Sequence, residues 1–382
     1  MLVPFHKPFT DENEINSVAD SIKSGWLTMG AKTYEFEKKF AQYVGAKEAV
    51  AVNSCTAALH LALKCAGLKQ GGEVIVPTFT HAASAEVAIY FGAKPVFADI
   101  ERDTHLMDAS KIESLITKNT KVIMPVHYGG QPADMDAIME IAKKHNLYVI
   151  EDAAHSFPAL YKNRFVGTIG HATCFSFYAT KTIATGEGGM LTTENSEWAT
   201  RTRLLRLHGV TRDAWEREND ENFWEYDVVE AGYKYNTTDI NSAMGIEQLK
   251  KADKLNGMRA KIALKYNEAF SSHDGLILYK IRNYNKTAWH LYPLKLNPDY
   301  LSIDRNKFVF EMKQRGISCS VHFIPIYRFS YYKALGYNAK DYPESEWVFT
   351  RTFSLPIYPA MTDKEIGYVI ENVLELLQKY KK

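Results

Sequence analysis

Residues 147–155 read Leu147-Tyr148-Val149-Ile150-Glu151-Asp152-Ala153-Ala154-His155. Residues 172–193 read Ala172-Thr173-Cys174-Phe175-Ser176-Phe177-Tyr178-Ala179-Thr180-Lys181-Thr182-Ile183-Ala184-Thr185-Gly186-Glu187-Gly188-Gly189-Met190-Leu191-Thr192-Thr193. Apolar runs at 147–152, 172–178 and 190–193 have the length and β-rich composition of buried strands. The same rhythm holds upstream, with strand-like runs at 49–52, 74–77, 95–100 and 121–128. Amphipathic stretches at 56–66, 82–91, 110–117 and 135–145 lie between these runs. Alternation of this kind predicts an α/β fold, a mostly parallel seven-stranded sheet with helices on both faces. Ligands of such sheets sit beyond the carboxyl ends of the strands. Asp152 closes one run and Lys181 lies just past another, so the fold can bring the two together.

The rest of the chain departs from this rhythm. Residues 211–230 carry eight acidic residues and two arginines, with Trp215 and Trp224 among them, and read as an exposed excursion. A helical pattern from about 238 to 266 bridges to a second part. There, 289–296, a helix near 305–315, a strand-like 318–323 and a helix from Asp363 predict a smaller α+β domain. The expected division is 1–250 for the large α/β domain with its N-terminal segment, and 251–382 for the small C-terminal domain.

Composition narrows the function. With 46 basic and 45 acidic residues in 382, bulk charge draws the chain neither to nucleic acid nor to an anionic membrane. No apolar run reaches transmembrane length and the start has no signal-peptide core, so no membrane partner is expected. Cys55, Cys65, Cys174 and Cys319 form no CxxC or metal-finger spacing, which fits buried thiols, no metal site and a reducing cytoplasm. GxGxxG after a strand, GxxxxGK[ST], HExxH and a Ser-His-Asp elbow are absent.

A lysine beyond one strand and an aspartate ending another suit pyridoxal 5'-phosphate (PLP). The lysine amine can hold its aldehyde as a Schiff base, and the aspartate can keep the pyridine nitrogen protonated. Burial lowers the pKa of a lysine, which imine chemistry at neutral pH needs, and the freed amine can then carry a proton. Asp152 taken alone also reads as a helix cap, and His155 as either a satisfied core histidine or a contact to the ring's phenolic oxygen. The phosphate needs donors at a helix start. Asn53-Ser54-Cys55-Thr56 opens a helix after a strand, so the first-turn amides of Cys55 and Thr56 and the Thr56 hydroxyl are candidates, with Ser54 as N-cap. Ser176 is a second hydroxyl. Phe79, after another strand end, reads as a core side chain or as a stacking partner of the ring.

Taken together these segments resemble the DegT/StrS-type sugar aminotransferases, PLP enzymes of fold type I. The resemblance runs through Ser24-Gly25-Trp26-Leu27-Thr28-Met29-Gly30, Asn53-Ser54-Cys55-Thr56, Pro77-Thr78-Phe79, Glu151-Asp152-Ala153-Ala154-His155 and Lys181 with Gly186-Glu187-Gly188-Gly189. It continues in His208-Gly209-Val210-Thr211-Arg212-Asp213-Ala214-Trp215, Gly232-Tyr233-Lys234-Tyr235-Asn236-Thr237-Thr238-Asp239, Val321-His322-Phe323-Ile324-Pro325 and Leu355-Pro356-Ile357-Tyr358-Pro359. It implies that Lys181 and Asp152 are catalytic, that His155 lies near the ring oxygen and that Phe79 stacks. It further implies that Cys55, Thr56 and Ser176 hold the phosphate, and that Asn236 reaches the phosphate of a neighbouring subunit, making a homodimer with shared sites. Trp26, His208, Arg212 and His322 match segments near the nucleotide-sugar pocket. The implied reaction moves an amine from an amino acid, L-glutamate, to a nucleotide-linked keto-deoxy sugar, with PLP cycling through pyridoxamine 5'-phosphate. The His-Gly-x-x-Arg-Asp-Ala-Trp run favours C4 of a 4-keto-6-deoxy sugar. Transfer at C3, PLP-dependent sugar dehydration and a non-catalytic sensor stay open as alternatives. A lysine rather than a histidine at position 181 favours amine transfer over deoxygenation.

Overall fold

The computed structural model describes residues 1–218, 222 and 224–382. Its strands, in chain order, are β1 (Glu48–Val52), β2 (Glu73–Pro77), β3 (Lys94–Ala98), β4 (Thr120–Ile123), β5 (Tyr148–Asp152), β6 (Leu160–Tyr161), β7 (Arg164–Phe165), β8 (Ala172–Ser176), β9 (Gly189–Thr193), β10 (Leu276–Leu278), β11 (Asn285–Lys286), β12 (Tyr292–Leu296) and β13 (Thr352–Leu355). Seven of them form one sheet in the order β1-β9-β8-β5-β4-β2-β3. The pairs β2–β3, β2–β4, β4–β5 and β5–β8 are parallel, whereas β8–β9 and β1–β9 are antiparallel. This is the mostly parallel seven-stranded sheet predicted above.

Alternate side chains enter different cores, as the period of a strand requires. In β2, Val74 and Val76 join a cluster with the helix Cys55–Cys65, while Ile75 joins Ile123, Ile138 and Val149 on the other face. Near β1, β8 and β9 a third cluster packs Phe36 and Phe40 of the helix Ala31–Val44 on Phe175, Phe177 and Met190. Each such side chain gains roughly 1.5–3 kcal/mol from burial, so both faces of the sheet are anchored and its strand ends are held still.

Several predicted bounds shift for local reasons. The run at 121–128 is strand only to Ile123, because Pro125 has no N–H to donate. A single bridge, Val126 to Asp152, continues it. The run at 110–117 becomes two short 3-10 turns, Ala109–Lys111 and Glu113–Leu115. The bridging helix is two helices, Asp239–Lys250 and Ala252–Phe270, parted at Lys251. The run at 318–323 forms one isolated bridge, Ser320 to Ser354. In the acidic stretch the described residues include a helix, Ala214–Glu218, and exposed Trp224; Asn219, Asp220, Glu221 and Phe223 lie outside the described residues.

In the C-terminal part, β10-β12-β13 form a three-stranded antiparallel sheet. The helices Ala252–Phe270, Arg305–Gln314 and Asp363–Lys379 supply apolar residues to its core. The N-terminus joins that core rather than the large sheet: Val3 is fully buried there and bridges Ile317. Conversely, Ile326, Tyr332 and Val348 pack back on the clusters of the large sheet. These crossings tie the two parts together around the end of the sheet where Asp152 emerges.

Candidate active site

Asp152 ends β5, beside β8, and is buried. Its Oδ1 accepts from Ala154 N (3.1 Å) and faces Cys55 Sγ at 3.9 Å; its Oδ2 accepts from Ser84 Oγ at 2.7 Å. Lys181 lies in the turn after β8, where its N–H donates to Tyr178 O at 2.8 Å. As a residue it is half-buried, but its ammonium sits in enclosed surroundings. Burial there lowers its pKa from 10.5 to about 8, while the Asp152 carboxylate opposes the drop. The amine thus lies within electrostatic reach of the carboxylate, with the Cys55 thiol beside both. Burial and the Asp152 carboxylate push that thiol well above its usual range, so it stays a neutral S–H donating to Cys174 O at 3.3 Å.

Beside this pair lies the start of the helix Cys55–Cys65. Ser54 caps it, accepting from Ala57 N at 3.1 Å, which leaves the first-turn amides of Cys55 and Thr56 for another acceptor. β9 runs unusually close: a Cβ on Gly189 would lie 2.4 Å from the carbonyl carbon of Ser54 and 2.7 Å from Cys55 N. Only glycine permits that approach. Ser176, paired with Gly189 across β8 and β9, ends its strand half-buried at the same place. Amides at a helix start, a hydroxyl and a close-set backbone make a fitting cradle for a phosphate. The donor set therefore fits PLP, with a low-pKa lysine, a carboxylate and an anion cradle sharing one end of the sheet.

Three imidazoles lie within electrostatic reach of the lysine, and a fourth, His81, lies near two of them. His155 accepts from Gly129 N at Nδ1 (3.3 Å), so its Nε2 carries the proton. Burial, then the Lys181 charge, holds its pKa well below the ordinary histidine value. His290 lies against it with ring centroids 4.3 Å apart and is likewise lowered, first by burial. His322 is lowered to about 4 by burial and by Lys181, and bonds Ser354 Oγ at 3.1 Å through Nδ1. His81 caps the helix Ala82–Ile89, its Nδ1 accepting from Ala83 N at 3.2 Å. Sequence reasoning missed His81, Ser84 and His290. The segment Thr78–Ser84 after a strand end, a short loop running into a helix, was the available signal for the first two; for His290 there was none.

The stacking role expected of Phe79 is not met. Phe79 is fully buried, packed by His105 and Tyr128 with centroids at 5.6 and 5.7 Å, and no face is open to a ligand. His81, two residues on, is exposed and caps the helix Ala82–Ile89.

A second group gathers elsewhere. His208, Arg212 and Asn236 line a cavity of about 260 Å³ with Thr28, Met29 and Asp213. Trp26 borders it, its Nε1 donating to Met29 O at 3.1 Å and its ring meeting Trp215 edge-on at 5.0 Å. Asn236 donates to Thr237 O at 3.0 Å, yet its Oδ1 is buried with no partner. Thus Cys55, Asp152, His155, Lys181 and His322 come together around one centre, Thr56 and Ser176 stand at its anion end, and Trp26, His208, Arg212 and Asn236 form a separate cluster.

Behind the centre, Glu151 points to the opposite face of β5. It accepts from Gly170 N (2.7 Å), Thr173 Oγ1 (2.7 Å) and His127 Nε2 (2.8 Å), all within the core. Ala133 N donates to His127 Nδ1, which fixes the proton on Nε2. Burial acts against the Glu151 carboxylate, but these donors hold its pKa below the usual value.

The profile of the DegT/DnrJ/EryC1/StrS aminotransferase family matches residues 8–374. The spore coat polysaccharide biosynthesis protein SpsC of Bacillus subtilis strain 168 is 45% identical over 378 residues, which cover 98% of this chain and 97% of SpsC. Among solved structures, Spr1654 of Streptococcus pneumoniae, assigned as a sugar aminotransferase, superposes with a TM-score of 0.93 at 33% identity, covering 99% of both chains. It is known in PMP and PLP forms. Helicobacter pylori PseC, an aminotransferase of pseudoaminic acid biosynthesis, superposes with a TM-score of 0.93 at 28% identity over 100% of both chains.

Proposed function

The chain belongs to the DegT/DnrJ/EryC1/StrS aminotransferase family, and on that premise we propose that it moves the amino group of L-glutamate to C4 of a nucleotide-linked 4-keto-6-deoxy sugar. It is a PLP-dependent sugar aminotransferase of fold type I. The observation that carries the reading is the Lys181–Cys55–Asp152 group: a lysine lowered to about 8 beside a carboxylate at the end of a parallel sheet.

PLP, when bound, supplies an aldehyde for the amine and a ring that takes up electrons. Lys181 Nζ would hold the aldehyde and, when free, would be the base that moves a proton. Asp152 would accept from the ring nitrogen. His155 would donate from Nε2 to the phenolic oxygen. The amides of Cys55 and Thr56, with the hydroxyls of Thr56 and Ser176, would hold the phosphate. His81 would cover the ring in place of Phe79. His322 and the cluster of Trp26, His208 and Arg212 orient the nucleotide sugar, and the run from His208 to Trp215 favours C4.

Asn236 completes the phosphate cradle of a second subunit, with its Nδ2 as the donor. A homodimer is further supported by the helix Glu12–Lys23, which leaves Ile15 and Ile22 more than half exposed near exposed Leu27. The names of SpsC and PseC support a role in building sugars for a surface glycan; a lipopolysaccharide O-antigen as that glycan, and the cytoplasm as the place, are part of the proposal. No helix among the described residues is long and apolar enough to cross a membrane.

Mass spectrometry of products from glutamate and a panel of 3-keto and 4-keto nucleotide sugars tests the reading. An amine at C4 supports it, an amine at C3 moves the position, and loss of the sugar oxygen without amine transfer replaces it with dehydration.

A further inference from the structure

Ser84 is fully buried in the helix Ala82–Ile89, among Ala82, Ala83 and Ala85. Its Oγ lies 2.7 Å from Asp152 Oδ2, and Thr80 Oγ1 lies 2.8 Å from the same Oγ. Thr80 is buried as well. An ionised carboxylate offers no proton, so Ser84 must donate to it. Ser84 then has only lone pairs left for Thr80, so Thr80 must donate to Ser84. The order Thr80 to Ser84 to Asp152 follows from counting protons.

The fold itself gains little from these hydroxyls. Alanine is the better helix former and would fill the Ser84 position without burying a polar group. The buried hydroxyl becomes useful only if the carboxylate needs a donor. Asp152 Oδ1 already has Ala154 N; Oδ2 has Ser84. Hydrogen bonds to the charged form stabilise it, and a chain of two polarises the second bond.

We propose that Ser84, backed by Thr80, is a positioning residue that holds Asp152 ionised and aimed at the ring nitrogen of PLP, and so sets how well the ring accepts electrons. This rests on the reading of Asp152 as the ring-nitrogen partner. Without Ser84 the Oδ2 of Asp152 has no hydroxyl donor among the described residues and is open to take up a proton in its place. The proton on the ring nitrogen then moves to Asp152, an N–H bond giving way to an O–H bond, and the ring loses its positive charge.

The test uses holoenzyme loaded with PLP labelled with nitrogen-15 at the ring. In Ser84→Ala the ring-nitrogen shift moves toward the unprotonated value. The single-turnover rate with glutamate falls about 10- to 100-fold, the span of one hydrogen bond to a charged group, while the KM for glutamate hardly changes. Ser84→Thr restores both. An unchanged shift and rate in Ser84→Ala, or a Ser84→Thr variant as impaired as the alanine, overturns the proposal. If Ser84→Ala does not fold, Thr80→Val, which removes the outer donor at equal volume, should move the shift the same way by less; no movement is equally fatal. A wild-type shift retained in Asp152→Asn would instead sink the underlying assignment of Asp152.

Discussion

Lys181 must be partly neutral at physiological pH for the proposed chemistry, and the enclosure of its ammonium makes it so. A pKa lowered from 10.5 to about 8 raises the neutral share of the amine about 300-fold near pH 7, to about one molecule in ten. Apo-enzyme mixed with PLP should therefore show a capture rate, read as growth of visible absorbance in a stopped-flow instrument, that climbs with pH and levels off above a midpoint near 8. The Asp152 carboxylate opposes the lowering, so Asp152→Asn should move the midpoint to lower pH. The same titration bears on stability. Between about 8 and 10.5 the unfolded lysine holds a proton that the native one has lost, so this group makes the apo-protein more stable as pH rises through that window. A capture midpoint near the free-lysine value, or an upward move in Asp152→Asn, would refute the argument.

Other consequences are direct. Gly189→Ala places a methyl 2.4 Å from Ser54 backbone, so equilibrium dialysis should show PLP affinity reduced by at least about tenfold, since preorganised donors would be displaced. Glu151→Ala orphans His127, Thr173 and Gly170 in the core; urea unfolding should show a loss of about 3–5 kcal/mol. Because the Glu151 pKa is depressed, its contribution in the native enzyme is present above the ordinary glutamate range and is lost as pH falls through its folded value. Lys181→Ala and Asn236→Ala proteins should each be inactive, yet random reassortment of their subunits should return about a quarter of wild-type activity. Half the dimers are then mixed, each with one intact site. No recovery on reassortment refutes the sharing of Asn236 across subunits.

Much of this was legible along the chain. Strand and helix periods differ, so the alternation from β1 to β9 shows in the apolar pattern, and so do the strand ends that expose Asp152 and the approach to Lys181. Glycine at 189 and the Asn53–Thr56 helix start are local signals, because conformational freedom and capping belong to short segments. Facing is another matter. Phe79 and His81 are two residues apart in one loop, and only the path of that loop decides that the first is sealed in the core and the second caps a helix at the mouth of the site. Ser84 reads as an unremarkable helical serine until β2 and β5, separated in sequence and in the sheet by β4, bring it to Asp152. His290 and His322 come from the C-terminal part, whose core also takes in Val3 from the other end of the chain. The amino-acid sequence by itself determined which elements form and which chemistry their ends can carry, since both depend on near neighbours. The assembly of four imidazoles, a hydroxyl relay and a lowered lysine was decided by tertiary structure alone, because contacts between distant residues depend on how the elements pack.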